Sequence, residues 1–410
     1  MFNKTLLACL MSLFLAAPAS ADTATPPKPE PIKIGEISEA KLWNIMAVNQ
    51  RRGEQLAVDN INAQGGVLGR PLEIVQRDGG DGTPGDVLRD VQELVERQGI
   101  KILFGTAFDN NGLAVSSYAK KNGAFFLKAV NGTDRQIWQD GNDLSFRFDV
   151  SNYMYMYGKV FADAAAKLPA KRWAFVGLDY EFGHSVIADF QKELKRLRPD
   201  VEFVATQWHP FGKINAGAVV AALEYANPDA IFIANAGSDT IQLIREGTKR
   251  GLFAHRQVIS VLTGQPEQLE SFGKEAPVGW ITQGYPYDQI DTPAHKTFLA
   301  KFRARFHTDP GWFSFVGYNA MISLADAINK AKSTEPHAIA AAMKGMTFDS
   351  LTGPLTYRAS DNQSNLGLWV GKVGFKNGKP TLVDWTYEPE DKYYPGDAYV
   401  KTVRPQTVNK

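Results

Sequence analysis

The chain has 410 residues, 44% of them hydrophobic and 22% charged, with 45 basic against 44 acidic side chains. That length exceeds one ordinary core and suits two α/β domains, and the apolar fraction excludes a disordered chain. The charges are mixed, with no basic block that could track phosphates, which argues against nucleic acid as a partner.

Near the start, Lys4 precedes an apolar run over 6–17, Pro18 breaks it, and Ala19-Ser20-Ala21 follows. A charged end, a short apolar stretch and a small-x-small site predict a secretory signal over 1–21, cleaved after Ala21. The run is short for a membrane span, and no later stretch is apolar over about 18 residues, so a soluble mature chain is expected. The lone cysteine, Cys9, lies inside this segment. A lipoprotein cut there would leave almost no apolar region before it, so the mature chain is expected to hold no disulfide and no Cys-ligated metal. Losing Lys4 with the signal leaves a neutral chain. Residues 22–31 are proline-rich and without apolar period, and read as a flexible leader.

From Ile32 a regular alternation begins. Strands are predicted at 31–35, 72–75, 100–104 and 124–127, with helices at 53–62, about 87–95 and 113–120 between them. The pattern restarts after Phe146-Arg147-Phe148: helices at 156–166, 186–197, 218–226 and 240–250 alternate with strands at 173–176, 201–206, 230–234 and 258–262. Short apolar runs separated by amphipathic helices are the mark of parallel sheets covered on both faces. The expected fold is α/β, two doubly wound Rossmann-like lobes with a ligand held between them. After Gly279 long amphipathic helices follow at 297–306 and 315–331, with a third at 337–343. Segments 355–357 and 368–373 read as antiparallel strands ending at Asn377-Gly378, a strong hairpin turn.

Catalytic chemistry finds no support in these residues. His184, His209, His255, His295, His307 and His337 are scattered, with no pair at metal-ligand spacing around a glutamate, so no metal site is expected. The segment 183–187 lacks the second glycine of a nucleophile elbow. Residues 65–69 have neither the phosphate-loop lysine nor dinucleotide spacing. Asp78-Gly79-Gly80-Asp81 lacks the following glutamate of a calcium loop and reads as a turn. No cofactor is expected and the chain is not expected to be an enzyme.

In open α/β sheets ligands sit at the carboxyl ends of strands, facing helix N-termini, whose free N–H groups and dipole favour an anion. Four loops share that address: 106–112 with Phe108, Asp109, Asn110 and Asn111; 128–133 with Val130 and Asn131; 179–183 with Phe182; and 235–238 with Ala236 and Gly237. Trp43, after the first strand, could cover a ligand.

These residues resemble the type I periplasmic binding proteins of ABC importers, the branched-chain amino acid (leucine-binding protein) family. The pieces carrying the likeness are 56–71 (LAVDNINAQGGVLGRP), Phe146-Arg147, 179–183 (DYEFG), 228–232 (PDAIF) and 317–320 (GYNA), in the family's order. The resemblance covers 32 to about 378. It implies two lobes joined by a three-crossover hinge and closing like a clamp. Lobe 1 would hold 32–149 and 284–350, lobe 2 150–283 and 351–385, leaving 386–410 as a tail. It further implies a periplasmic monomer that binds a small molecule and delivers it to an ABC permease in the inner membrane.

The pocket departs from the family's pattern. Asp109 stands where amino acid binders carry a serine that holds the ligand carboxylate, and an aspartate there would repel it. An ungapped count puts Leu262 where an acid should hold the ammonium. Phe182 replaces a tyrosine, and small Ala236 and Gly237 fall where a large aromatic can sit. The expectation is a neutral, aromatic or cationic ligand, with Asp109 or Asn111 as polar anchor and Trp43, Phe108 and Phe182 as apolar walls. The same fold could instead serve as a sensory module for a membrane receptor. A secreted enzyme on this scaffold is disfavoured by the missing nucleophile–base pair.

Overall fold

The computed structural model describes Met1, 29–130, 132–149 and 154–405. Nearly all of the expected signal segment, Cys9 included, most of the expected leader and Asn131 fall outside the described residues.

The first sheet comprises β1 (Ile32–Ile37), β2 (Leu72–Arg77), β3 (Ile102–Gly105), β4 (Phe125–Lys128) and β5 (Ser145–Arg147). Its order is β2-β1-β3-β4-β5 and every pairing is parallel. Helices α1 (Asn44–Ala63), α2 (Pro84–Gln92), α3 (Asp109–Asn122) and α4 (Asp134–Ile137) connect these strands. Central β3 and β4 are buried at every residue, whereas edge strand β2 is mostly half-exposed. That difference follows from helices covering both faces of the sheet but not its rim.

The second sheet has seven strands, ordered β14-β13-β10-β9-β8-β6-β7. Its elements are α5 (Met154–Ala166), β6 (Arg172–Leu178), α6 (Glu181–Leu197), β7 (Glu202–His209), α7 (Ala216–Ala226), β8 (Ala230–Ala234), α8 (Gly237–Lys249), β9 (Gln257–Gly264), α9 (Pro266–Phe272) and β10 (Ile281–Gly284). The chain then returns to the first sheet as α10 (Pro293–Phe306), α11 (Trp312–Ala331) and α12 (Pro336–Met343). Gly53 of α1 lets α11 approach, since a Cβ there would lie 2.0 Å from the Ser314 carbonyl oxygen. A short hairpin, β11 (Thr347–Ser350) and β12 (Gly353–Thr356), precedes β13 (Leu368–Lys376) and β14 (Lys379–Glu388), which close the second sheet. The last helix, α13 (Asp397–Val403), packs Tyr399 edge-on against Trp138 of the first lobe.

Two expectations are corrected. The parallel set does not end at 262, because β10 adds a strand beside β9. Its Thr282 and Gln283 are buried polar residues that hide it from an apolar-run reading. Likewise, 355–357 does not pair with 368–373: β12 pairs with β11, and β13 lies against β10 and β14. The Asn377-Gly378 turn does join β13 to β14, with both residues at positive φ (52° and 76°), the geometry of a two-residue hairpin loop.

The chain passes between the lobes between β5 and α5, between β10 and α10, and between β12 and β13. Fully buried Arg147 fastens two of these crossings. Its guanidinium donates to the Gly132 and Thr133 carbonyls at 2.6 and 2.9 Å and to Asp134 at 3.3 Å, and it also reaches Gln363 Oε1. Five rigid donors suit this crowded junction better than a point charge would.

Candidate functional site

The carboxyl ends of β1, β3, β6 and β8 face one cleft between the lobes, each followed by a helix. The residues opening α1, α3, α6 and α8 are Trp43, Phe108, Tyr180 and Ala236, and none makes a side-chain capping hydrogen bond. By contrast α2, α4, α7 and α10 are capped by Thr83, Thr133, Asn215 and Thr292. These four helices thus keep first-turn N–H groups free of a side-chain cap, as α9, α12 and α13 also do.

Aromatic rings join the two walls. Trp43 of the first lobe lies 5.9 Å from Phe211 of the second and 5.3 Å from Phe313. Phe108 meets Phe211 edge-on at 5.4 Å and Tyr180 at 6.2 Å. The Cβ position of Gly237 is 3.7 Å from Phe211 and 3.9 Å from Trp43 Nε1, an ordinary contact distance to both rings, and its φ of 61° favours glycine there.

Behind this aromatic lining the first lobe is charged. Asp109, the first residue of α3, is buried with neither carboxylate oxygen hydrogen-bonded among the described residues. Burial pushes its pKa up to about 6; Lys128 opposes that rise and Glu181 adds to it, with weaker effects from Arg147 and Asp134. Lys128 is fully buried too, and burial lowers its ammonium to about 8. It donates to the Thr106 carbonyl and hydroxyl at 3.3 and 2.9 Å and to the Phe108 carbonyl at 3.3 Å. Those acceptors belong to its own lobe, and Lys128 makes neither ion pair nor hydrogen bond with Asp109. Buried Glu39 accepts from the Ala107 N–H at 2.7 Å and the Asn111 amide at 2.8 Å, and its pKa is raised chiefly by burial.

The second wall has its polar groups largely paired with one another or with backbone. Asn235 bonds His209 Nε2 through Oδ1 at 3.1 Å, while its Nδ2 has no partner among the described residues. Asp239 in the first turn of α8 accepts from the Gly212 and Ile214 N–H groups at 2.6 and 3.3 Å. Two contacts bridge the cleft rim. The Thr133 hydroxyl donates to Glu181 at 2.8 Å, and Glu267 of α9 accepts the Phe313 N–H of α11 at 2.9 Å. Buried Glu267 therefore caps a helix of the opposite lobe, with its pKa raised by burial.

A family model described as a periplasmic binding protein matches residues 43–379. The chain belongs to the periplasmic binding protein family. This periplasmic binding protein is 26% identical over 314 residues to the Leu/Ile/Val-binding protein of Citrobacter freundii, covering 75% of this chain and 81% of that one. Among solved structures it resembles an amino acid ABC transporter substrate-binding protein of Pseudomonas fluorescens, with TM-score 0.78 and 21% identity over 91% of this chain and 99% of that chain. It also resembles an ABC transporter solute-binding protein of Rhodopseudomonas palustris in complex with 4-hydroxybenzoate, with TM-score 0.78 and 20% identity over 87% and 97% of the two chains. These likenesses establish the type I fold and its two doubly wound lobes.

Trp43, Phe108, Asp109 and Gly237 line or back the aromatic cleft, and Ala236 opens α8 beside it. Phe182 is buried in the first turn of α6, behind Tyr180 at 6.1 Å, and Val130 and Leu262 are buried in the same apolar cluster. The expected loop 106–112 is half helix, since α3 starts at Asp109. In consequence Asn110 is exposed, and Asn111 spends its amide N–H groups on Glu39 and the Gly82 carbonyl rather than on an anchor in the cleft.

Lys128 and Tyr180 lie in two of the four expected loops without being singled out there, whereas Phe211, Phe313 and Glu267 lie outside all four. Phe211 follows β7 and could have been found by the strand-end rule that located its neighbours. Phe313 comes from a helix far along the chain and carries no local signal.

Proposed function

We propose that this chain is the extracytoplasmic solute-binding component of an ABC importer, holding a small ring-containing solute between its lobes and presenting it to an inner-membrane permease. The observation that carries the ligand class is the run of rings Phe313, Trp43, Phe211, Phe108 and Tyr180, which crosses from one lobe to the other. Aromatic walls bury a planar solute with little loss of side-chain freedom and add edge-on attraction to its ring. The missing ammonium acceptor at Leu262 and the buried carboxyl of Asp109 both disfavour an α-amino acid zwitterion. The 4-hydroxybenzoate complex of a structural relative supports the same class. The non-enzymatic role rests on the family's solute-binding activity. The test is calorimetric titration of ligand-stripped protein with benzoates, phenols and leucine. Binding of ring compounds is expected, with quenching of tryptophan fluorescence that Trp43→Phe diminishes; tight leucine binding with no ring compound bound would overturn the reading.

A further inference from the structure

Two sets of unpartnered polar atoms, of opposite kinds, flank the aromatic rings. Beside Phe108 are the two oxygens of Asp109, a carboxyl 1% exposed whose neighbouring ammonium, Lys128, is already held by Thr106 and Phe108. Beside Gly237 are two donors, the indole N–H of Trp43 and the amide Nδ2 of Asn235, both buried and without a partner among the described residues. The second side also holds the uncapped N-terminus of α8, a helix of 13 residues. Asp239 in that first turn is already bonded to Gly212 and Ile214, so its oxygens do not compete for Trp43 or Asn235. A buried donor or acceptor left without a partner costs about 1–3 kcal/mol, so a ligand that satisfies each side is selected over one that satisfies neither.

We infer, on the reading that the solute is a ring compound, that it lies across the cleft with a hydroxyl donating to Asp109 and a carbonyl or carboxylate accepting from Trp43 Nε1 and Asn235 Nδ2 at the N-terminus of α8. Asp109 is then a specificity-determining residue: it accepts a hydrogen bond from the hydroxyl and excludes a carboxylate from the first lobe. The acid end of the ligand turns toward the second lobe, where the free N–H groups of α8 favour it. A site built to receive a hydroxyl rejects the analogue that lacks it far more strongly than a hydrophobic pocket rejects a missing methylene.

Calorimetry on the ligand-stripped chain with 4-hydroxybenzoate, 4-methoxybenzoate, benzoate and 4-methylphenol tests this. At least tenfold tighter binding of 4-hydroxybenzoate than of benzoate or 4-methoxybenzoate is expected. Asp109→Leu should bring those ratios close to one, and Asp109→Asn, the isosteric change, should lower them while keeping the fold. Trp43→Phe should reduce the preference for 4-hydroxybenzoate over 4-methylphenol and leave the hydroxyl preference in place. Equal affinity of the wild-type chain for benzoate and 4-hydroxybenzoate would overturn the assignment while leaving the ring-compound reading intact, as would an Asp109→Leu variant that keeps the hydroxyl preference. Failure of every ring compound to bind would remove that reading and the assignment together.

Discussion

The first lobe meets the cleft with three buried ionisable groups, Glu39, Asp109 and Lys128, whereas the second lobe meets it with Asn235, His209 and an Asp239 already bonded to backbone. Both walls are built the same way, from strand ends and uncapped helix N-termini. They differ in what burial has done to the charges. In the first lobe, burial drives Asp109 and Lys128 toward neutrality from opposite directions, which is the response of unpaired charges removed from water. One wall is therefore set against the ligand's charge before any ligand arrives, and the other supplies ordinary donors.

The contrast breaks most visibly at its support. Arg147→Met leaves the Gly132 and Thr133 carbonyls and Asp134 without their buried guanidinium. The expected loss is about 3–5 kcal/mol in urea denaturation. The matching cut on the second wall, Asn235→Ala, frees only His209 Nε2 and should cost about 1–2 kcal/mol. Equal losses would mean that the two walls are held alike.

The tension at Asp109 has its own signature. Its carboxyl titrates at about 6 in the fold against an ordinary 3.8. The folded state thus binds the extra proton, and the stability this gives is complete below pH 3.8 and lost as pH rises through about 6. Asp109→Asn should stabilise the ligand-free protein by up to about 3 kcal/mol at pH 7, with the gain vanishing near pH 4, read from denaturation at several pH values. A gain independent of pH would show that burial of the charge is not its cause.

The smallest effect is expected where the walls touch. Glu267→Ala removes the cap that α9 lends to α11, worth about 1 kcal/mol, and should shift the lobes toward an open arrangement. Small-angle scattering of the ligand-free chain would then give a larger radius of gyration than for the native sequence. An unchanged radius would mean that the Thr133–Glu181 contact and the aromatic rings hold the lobes without it.

Much of the architecture was legible from local pattern alone. Runs such as Phe125-Phe126-Leu127 and 230–234 announce strands buried on both faces, and Asn377-Gly378 announces a hairpin whose φ values only such residues readily adopt. The strand-end rule also brought Trp43, Phe108, Asp109, Ala236 and Gly237 to one address, because in a doubly wound fold connectivity and ligand position are linked. What sequence by itself determined, then, is the alternation of elements and the loops that face the cleft, since both depend on residues within a few positions of one another. Tertiary structure alone decided that β10 would pair through buried Thr282 and Gln283, and that Asn111 would turn inward to Glu39. It also decided that Lys128 would spend its donors on Thr106 and Phe108 and leave Asp109 unpaired, and that Glu267 would cap a helix of the other lobe. Each depends on which distant groups share a dry space and which of them finds a partner first, and no periodicity along the chain encodes that.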